Sequence, residues 1–306
     1  MMENEMSKYG ICCIILSLEE NDPPKKFQRM TYKKFSQTPR QEAVAELSKR
    51  ILNNIDVTFD AIKYCKIHNF NYRLSSDLFS LITYDKADLS LDQLPDYEKI
   101  IDLFGQIKEY NSANNVRISL HPDQFNVLAS KDENTLARTI KELNFYSWVM
   151  DQMGCPADYN SPINLHINNN QDSCEEVIDR LSFGLDLLDS NCRSRIVFEN
   201  DDKTKCWSVK KLAEFYYKKF KSPITFDFLH HKCHPDNLPE EEAFNICCSS
   251  WGDFTPLFHY SESRDEKNPR AHADYPSNIP DFYGNAIDID FEFKMKEKAI
   301  ERFLTL

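Results

Sequence analysis

Two rhythms of apolar residues alternate along this chain. Short uninterrupted runs, such as Val116–Leu120 and Ile163–Ile167, are separated by longer stretches in which apolar residues return every three or four positions. The first rhythm is that of strands covered on both faces, the second that of amphipathic helices. Strands are expected at Tyr9–Leu18, Asn71–Ser75, Val116–His121, Ile163–Ile167, Arg195–Glu199, Ile224–Phe228, Pro256–His259 and Ala286–Phe291. Helices are expected around Val44–Phe59, from Asp96 onward, and over Glu133–Met153, Cys174–Leu188, Val209–Phe220, Glu240–Cys248 and Lys294–Leu304. Two polar connections interrupt the alternation, Asn21–Arg40 and the excursion Ser261–Tyr283. Strand–helix alternation implies parallel strands joined by right-handed crossovers, and eight units is the number that closes a barrel. The expected fold is α/β, a (β/α)8 TIM barrel, with residues 1–306 as one domain because no linker or shift in composition divides the chain.

The polar residues that end the apolar runs carry the chemistry. In Arg117-Ile-Ser-Leu-His-Pro-Asp-Gln-Phe125 a strand stops at His121, and Pro122 forbids a further ladder donor. The pattern recurs at His166, Glu199, Asp227 with His230, His259 and Glu292, and His272 lies in the excursion. Active sites of such barrels sit at the carboxyl ends of the strands. Five of the eight histidines belong to this set, and His68, His231 and His234 fall in helix or loop contexts. Singly, a strand-end histidine is more often a hydrogen-bonded structural residue, Glu199 a solvated loop start and Asp227 a helix cap. Together, eight such residues at one end of one barrel require a common explanation. Imidazole and carboxylate without thiolate suit Zn or Mn, and so many ligands suit two or three ions sharing carboxylates, an arrangement fit for phosphoester cleavage.

Charge and cysteine content narrow the partners. A net charge of -12 argues against a protein that coats nucleic acid non-specifically, although bound metal ions can invert the field locally. Ten cysteines without a C-x-x-C pair read as small buried apolar residues in a reducing compartment. The run Gly10–Leu18, preceded by Glu3, Glu5 and Lys8, is a poor signal peptide and too short for a membrane span. The expectation is an intracellular protein (cytosolic, nuclear or virus-associated), not secreted and with no membrane partner. With only six glycines, turns are expected to rely on Pro, Asn and Asp.

With these motifs in place the chain resembles the UV damage endonucleases, relatives of the endonuclease IV group. The segments that carry the resemblance include Arg117–Phe125, Leu165-His, Phe198-Glu-Asn-Asp-Asp, Asp227-Phe-Leu-His-His, His259-Tyr-Ser, Ala271-His-Ala-Asp-Tyr275 and Glu292 ahead of Lys294-Met-Lys-Glu-Lys, with Met30-Thr-Tyr-Lys and Tyr72-Arg-Leu-Ser-Ser similar too. The resemblance implies a monomeric, metal-dependent DNA repair enzyme that nicks damaged double-stranded DNA 5′ to cyclobutane dimers, 6-4 photoproducts or abasic sites. A metal-bound hydroxide would attack the phosphorus. It also implies His121, His166, Glu199, Asp227, His230, His259, His272 and Glu292 as ligands of two to three Mn2+ or Zn2+ ions, with Glu199, Glu292 and His259 central to catalysis. Gln124 and Phe125 match the pair that inserts into the duplex, whereas the plain reading of Phe125 is a core aromatic after a turn. Arg264 and Tyr275 are expected on the DNA side. Arg264, Lys267 and Arg270, like Lys203 and Lys205, are either phosphate holders or a solvated charge run.

Two departures stand out. Leu257 replaces a family lysine that can carry a metal-facing carboxylate, which places the third ion in doubt. Ile11 stands where bacterial members carry a lesion-contacting tyrosine. The rival readings are a sugar isomerase or epimerase on the same barrel, which has no use for Gln124-Phe125 as a wedge, and a damaged-DNA binding protein with little turnover.

Overall fold

A computed structural model describes residues 7–168 and 171–306; Glu3 and Glu5 lie outside them. The apolar runs become β1 (Tyr9–Cys12), β2 (Asn71–Leu74), β3 (Ile118–Leu120), β4 (Ile163–Leu165), β5 (Ile196–Glu199), β6 (Ile224–Thr225), β7 (Leu257–Tyr260) and, after an antiparallel hairpin of β8 (Ser263–Asp265) and β9 (Asn268–His272), β10 (Asp288–Phe291). Eight of these strands run parallel in the order β6-β5-β4-β3-β2-β1-β10-β7. A parallel bridge from Asp227, just past β6, to His259 on β7 closes the barrel. Nearly every residue of these eight strands is buried, because helices such as Arg40–Ile67, Tyr97–Asn114 and Glu133–Gln152 lay their apolar stripes on the outside and join one continuous core.

Element boundaries differ from the sequence expectation where a distant side chain intervenes. The first strand stops at Cys12 rather than Leu18. Cys13 turns to φ 70, and the carboxylate of Glu297, 280 residues away, accepts from the backbone N–H groups of Leu16 and Ser17 to start a short helix. The connection 21–40 contains a helix, Tyr32–Gln37, capped by Thr31 Oγ1. The sixth strand ends at Thr225 because Asp227 caps a new helix, Phe228–Cys233. The excursion after β7 folds into the hairpin instead of a crossover helix. As expected, Asn69, Asp88, Asn115, Asn168, Asp236 and Asn237 take left-handed backbone positions that glycine often fills.

The barrel interior is polar in layers. A strand's side chains alternate between its faces, so β10 and the residue beyond it send Asp288, Asp290 and Glu292 the same way. Asp288 accepts from Arg117 Nη1 at 2.9 Å and Asn71 Nδ2 at 2.9 Å. Asp290 accepts from Ser119 Oγ at 3.1 Å and lies 3.9 Å from Arg73 Nη1, which donates to Glu292 at 2.5 Å. β1 lies between β2 and β10, so these contacts reach across it, and Gly10 leaves the room. A Cβ there would fall 2.0 Å from Asp290 Oδ1. Gly10→Ala must swing a fully buried carboxylate off Ser119, and it is expected to cost about 1–3 kcal/mol of stability. The readout is a lower urea midpoint at unchanged m-value; an unchanged midpoint would refute this account of Gly10.

Candidate metal centre

Each expected ligand leaves the barrel at its carboxyl end. His121 follows β3, His166 follows β4, Glu199 closes β5, Asp227 follows β6, His259 lies on β7, and Glu292 follows β10. His230 comes from the first turn of the Phe228–Cys233 helix, and His272 ends β9. Asp227 both caps that helix, accepting from the His230 N–H at 2.6 Å through Oδ1, and keeps its Oδ2 without a hydrogen-bond partner. Asp227 thus caps the helix with one oxygen and leaves the other without a hydrogen bond.

The buried carboxylate of Glu199 is the hub. Its Oε2 lies 2.9 Å from His259 Nδ1 and 3.2 Å from His121 Nε2, and its Oε1 lies 2.9 Å from His230 Nδ1 and 3.8 Å from His166 Nε2. Glu292 Oε1 lies 3.4 Å from His259 Nδ1. Three groups have ligand atoms within 4.8 Å of one another: His121 with His166 and Glu199; Glu199 with Asp227 and His230; Asp227 with His259 and Glu292. His272 joins none of the three. Its Nδ1 meets the Glu292 carbonyl at 2.6 Å and Oε2 at 3.7 Å. Despite these short distances, buried Glu199 Oε1, Asp227 Oδ2, His166 Nδ1 and His259 Nδ1 make no well-aligned hydrogen bond, which is unusual for a packed interior and fits a cation held among them.

The electrostatics follow from burial and mutual contact. Burial holds His166 down to about 4, so its ring is neutral and its lone pair available. Burial pushes Asp227 up to about 6. Burial would lower His259, but Glu199 and Glu292 push it up to about 9. Burial would raise Glu199, yet His259 and His166 hold it well below the usual carboxylate range.

Several participants were not singled out from the sequence. Arg73 reaches Glu292 and stands 3.5 Å from His259 Nε2. Asn164 donates to Glu199, and Asn200 exchanges hydrogen bonds with the Asp227 backbone. Asp201, which burial pushes up to about 6, lies 3.9 Å from His166 Nδ1. The one signal for Asn164 was its spacing of two before His166, which puts both on one face of the strand, whereas no expected ligand follows Arg73 on β2.

The expected DNA-side residues divide. Gln124 and Phe125 are exposed on the loop after His121, Phe125 at 73%. The plain core reading of Phe125 is therefore wrong. Arg264 is exposed on β8 with Asp265 at 3.1 Å, and Tyr275 packs on the core beneath Arg302, 5.1 Å from its ring. Leu257 is buried at the foot of β7, level with Asp288, two residues below His259, and supplies no ligand atom. Ile11 is fully buried within β1 and cannot touch a substrate.

The profile of the family described as UV-endonuclease UvdE matches residues 7–306. The chain belongs to that family. The UV DNA damage endonuclease of Nostoc sp. is 30% identical over 98% of this chain and 90% of its own length. The crystal structure of SacUVDE, 24% identical and covering 98% of this chain and 100% of the other, superposes with a TM-score of 0.79. Endonuclease IV from Thermus thermophilus, 11% identical over 97% and 98% of the two chains, shares the fold at a TM-score of 0.56. As a UvdE member the chain is an endonuclease.

Ligand rings must lose their protons before a cation binds. Since His259 is protonated up to about pH 9, metal uptake near neutral pH is expected to release on the order of one proton or more, with affinity rising as pH approaches 9. Calorimetric titration with Mn2+ in two buffers of different ionisation enthalpy reads this directly, and identical heats in both would contradict it.

Proposed function

We propose that this chain is a metal-dependent DNA repair endonuclease that nicks the phosphodiester 5′ to UV photoproducts and at abasic sites in double-stranded DNA, acting as one unit and as a monomer inside the cell. The observation that carries the reading is the Glu199 carboxylate shared by four imidazoles, with Phe125 exposed on the loop that follows one of them, His121. His121, His166, Glu199, Asp227, His230, His259, His272 and Glu292 would hold Mn2+ or Zn2+, two ions around Glu199 and Glu292. His272 would hold a third only without an oxygen ligand from position 257, where Leu257 stands. When bound, the ions supply positive charge to the scissile phosphate and the leaving oxygen.

The chain's own groups set the geometry. Glu199 and Glu292 fix His259 between them, and Arg73 anchors Glu292 from inside the barrel. Burial keeps His166 neutral. Gln124 and Phe125 enter the duplex at a lesion, where an aromatic ring recovers stacking lost by the displaced bases. The ten free cysteines accord with an intracellular setting. Membership in an endonuclease family favours this reading over a sugar isomerase. One rival keeps a specific observation: buried Leu257 and Ile11 remove two family contacts, which suits a lesion-binding protein with little turnover.

A duplex carrying one thymine dimer, incubated with the protein and Mn2+, is expected to be nicked 5′ to the dimer, while an undamaged duplex stays intact. Glu199→Gln should reduce nicking about a thousandfold or more, since it removes the charge shared across the centre. Binding without nicking would favour the lesion-binding reading; neither binding nor nicking would overturn both. Separately, Phe125→Ala is expected to weaken lesion binding about tenfold, the loss of one stacking contact. Equal affinity for the lesion duplex would remove Phe125 from the interface.

A further inference from the structure

We propose that a basic groove beside the metal centre seats the sugar-phosphate backbone of the DNA strand as it leaves the reacting phosphate. The groove, about 600 Å³, lies between the loop after β5, the helix Phe228–Cys233 and the β8–β9 hairpin. Lys203, Lys205, Lys232 and Arg270 line it, with Asp202 as the opposing charge. In a chain of net charge -12 this is a local inversion of sign. The inference rests on the endonuclease reading and extends it from the reacting phosphate to its neighbours.

Three observations favour phosphate over a solvated charge run. The cations come from three separate segments, so the fold and not the sequence brings them together. Lys203, Lys205 and Lys232 are exposed and, among the described residues, no carboxylate forms an ion pair with them; Arg270 has Asp202 only at 3.6 Å. Each segment also carries a residue of the centre: Glu199 four positions before Lys203, His230 two before Lys232, and His272 two after Arg270. On β9 the period of two turns Arg270 and His272 to the same side of the strand. Flexible ammonium groups act as point charges that hold a phosphate chain without reading its bases, as an enzyme acting on lesions in any sequence requires.

The test measures binding of a fluorescent lesion duplex by anisotropy over a range of salt concentrations. It compares wild type with the triple variant Lys203→Gln/Lys205→Gln/Lys232→Gln and with a control of equal net charge, Lys49→Gln/Lys108→Gln/Lys218→Gln. Each phosphate contact contributes about 0.9 to the slope of log affinity against log salt. The groove variant is therefore expected to bind about tenfold or more weakly, with a slope shallower by about 2–3, and the control to match wild type. Far-ultraviolet circular dichroism melts establish that all three proteins fold; should the triple variant melt early, Lys232→Gln alone is expected to lower the slope by about 1. Wild-type affinity and slope in the groove variant would overturn the groove while leaving the endonuclease reading intact. Equal loss in both variants would reduce the effect to net charge and overturn it too. A wild type that binds no duplex would sink the underlying reading itself.

Discussion

A carboxylate inside a closed barrel is largely removed from water, and this chain places three on one side of β10. Asp288, Asp290 and Glu292 must each be matched by partners reaching in from other strands. Arg117 and Asn71 meet the first, Ser119 and Arg73 the second, and Arg73 with His259 the third. The barrel therefore has an internal ladder of charge that rises from its foot to the candidate metal centre. Arg73 is the rung between structure and chemistry, since the same guanidinium faces a buried structural aspartate and a carboxylate of the site.

That ladder explains what was legible in the sequence and what was not. The strand-end histidines and acids stood out because each interrupts an apolar run, and seven of the eight meet in the ligand groups. His272 could be placed in the excursion but not on a strand, because the hairpin that carries it lacks an apolar rhythm. Arg73 and Asn164 were hidden by their surroundings: a polar residue inside a short run looks like an interruption until its cross-barrel partner is known. The same holds for Glu297, which sits in the sequence as one more charge of the last helix and in the fold as the cap of a helix at the other end of the chain. Gly10 gave no local sign either, since its role is defined only by the side chain of Asp290.

The departures at Leu257 and Ile11 acquire a physical meaning in the same frame. Both residues are buried and well packed, so neither is a defect of the fold. Two residues before His259 this barrel has an apolar side chain, and the cation that stands beside His259 from within is Arg73. The centre is thus framed by a permanent positive charge on its inner side and by titratable ligands on its outer side.

The hairpin that stands in for the crossover helix between β7 and β10 is tied to the centre at its base. His272 meets the carbonyl of Glu292, and the Lys294 N–H donates to Ala273. Arg270, two residues farther out on the same strand, faces Asp202 across the groove. The strand β9 thus has one end against Glu292 and the other over the outer surface. One five-residue strand therefore spans from the backbone of Glu292 at the barrel's mouth to the basic side chain of Arg270, with no loop between them.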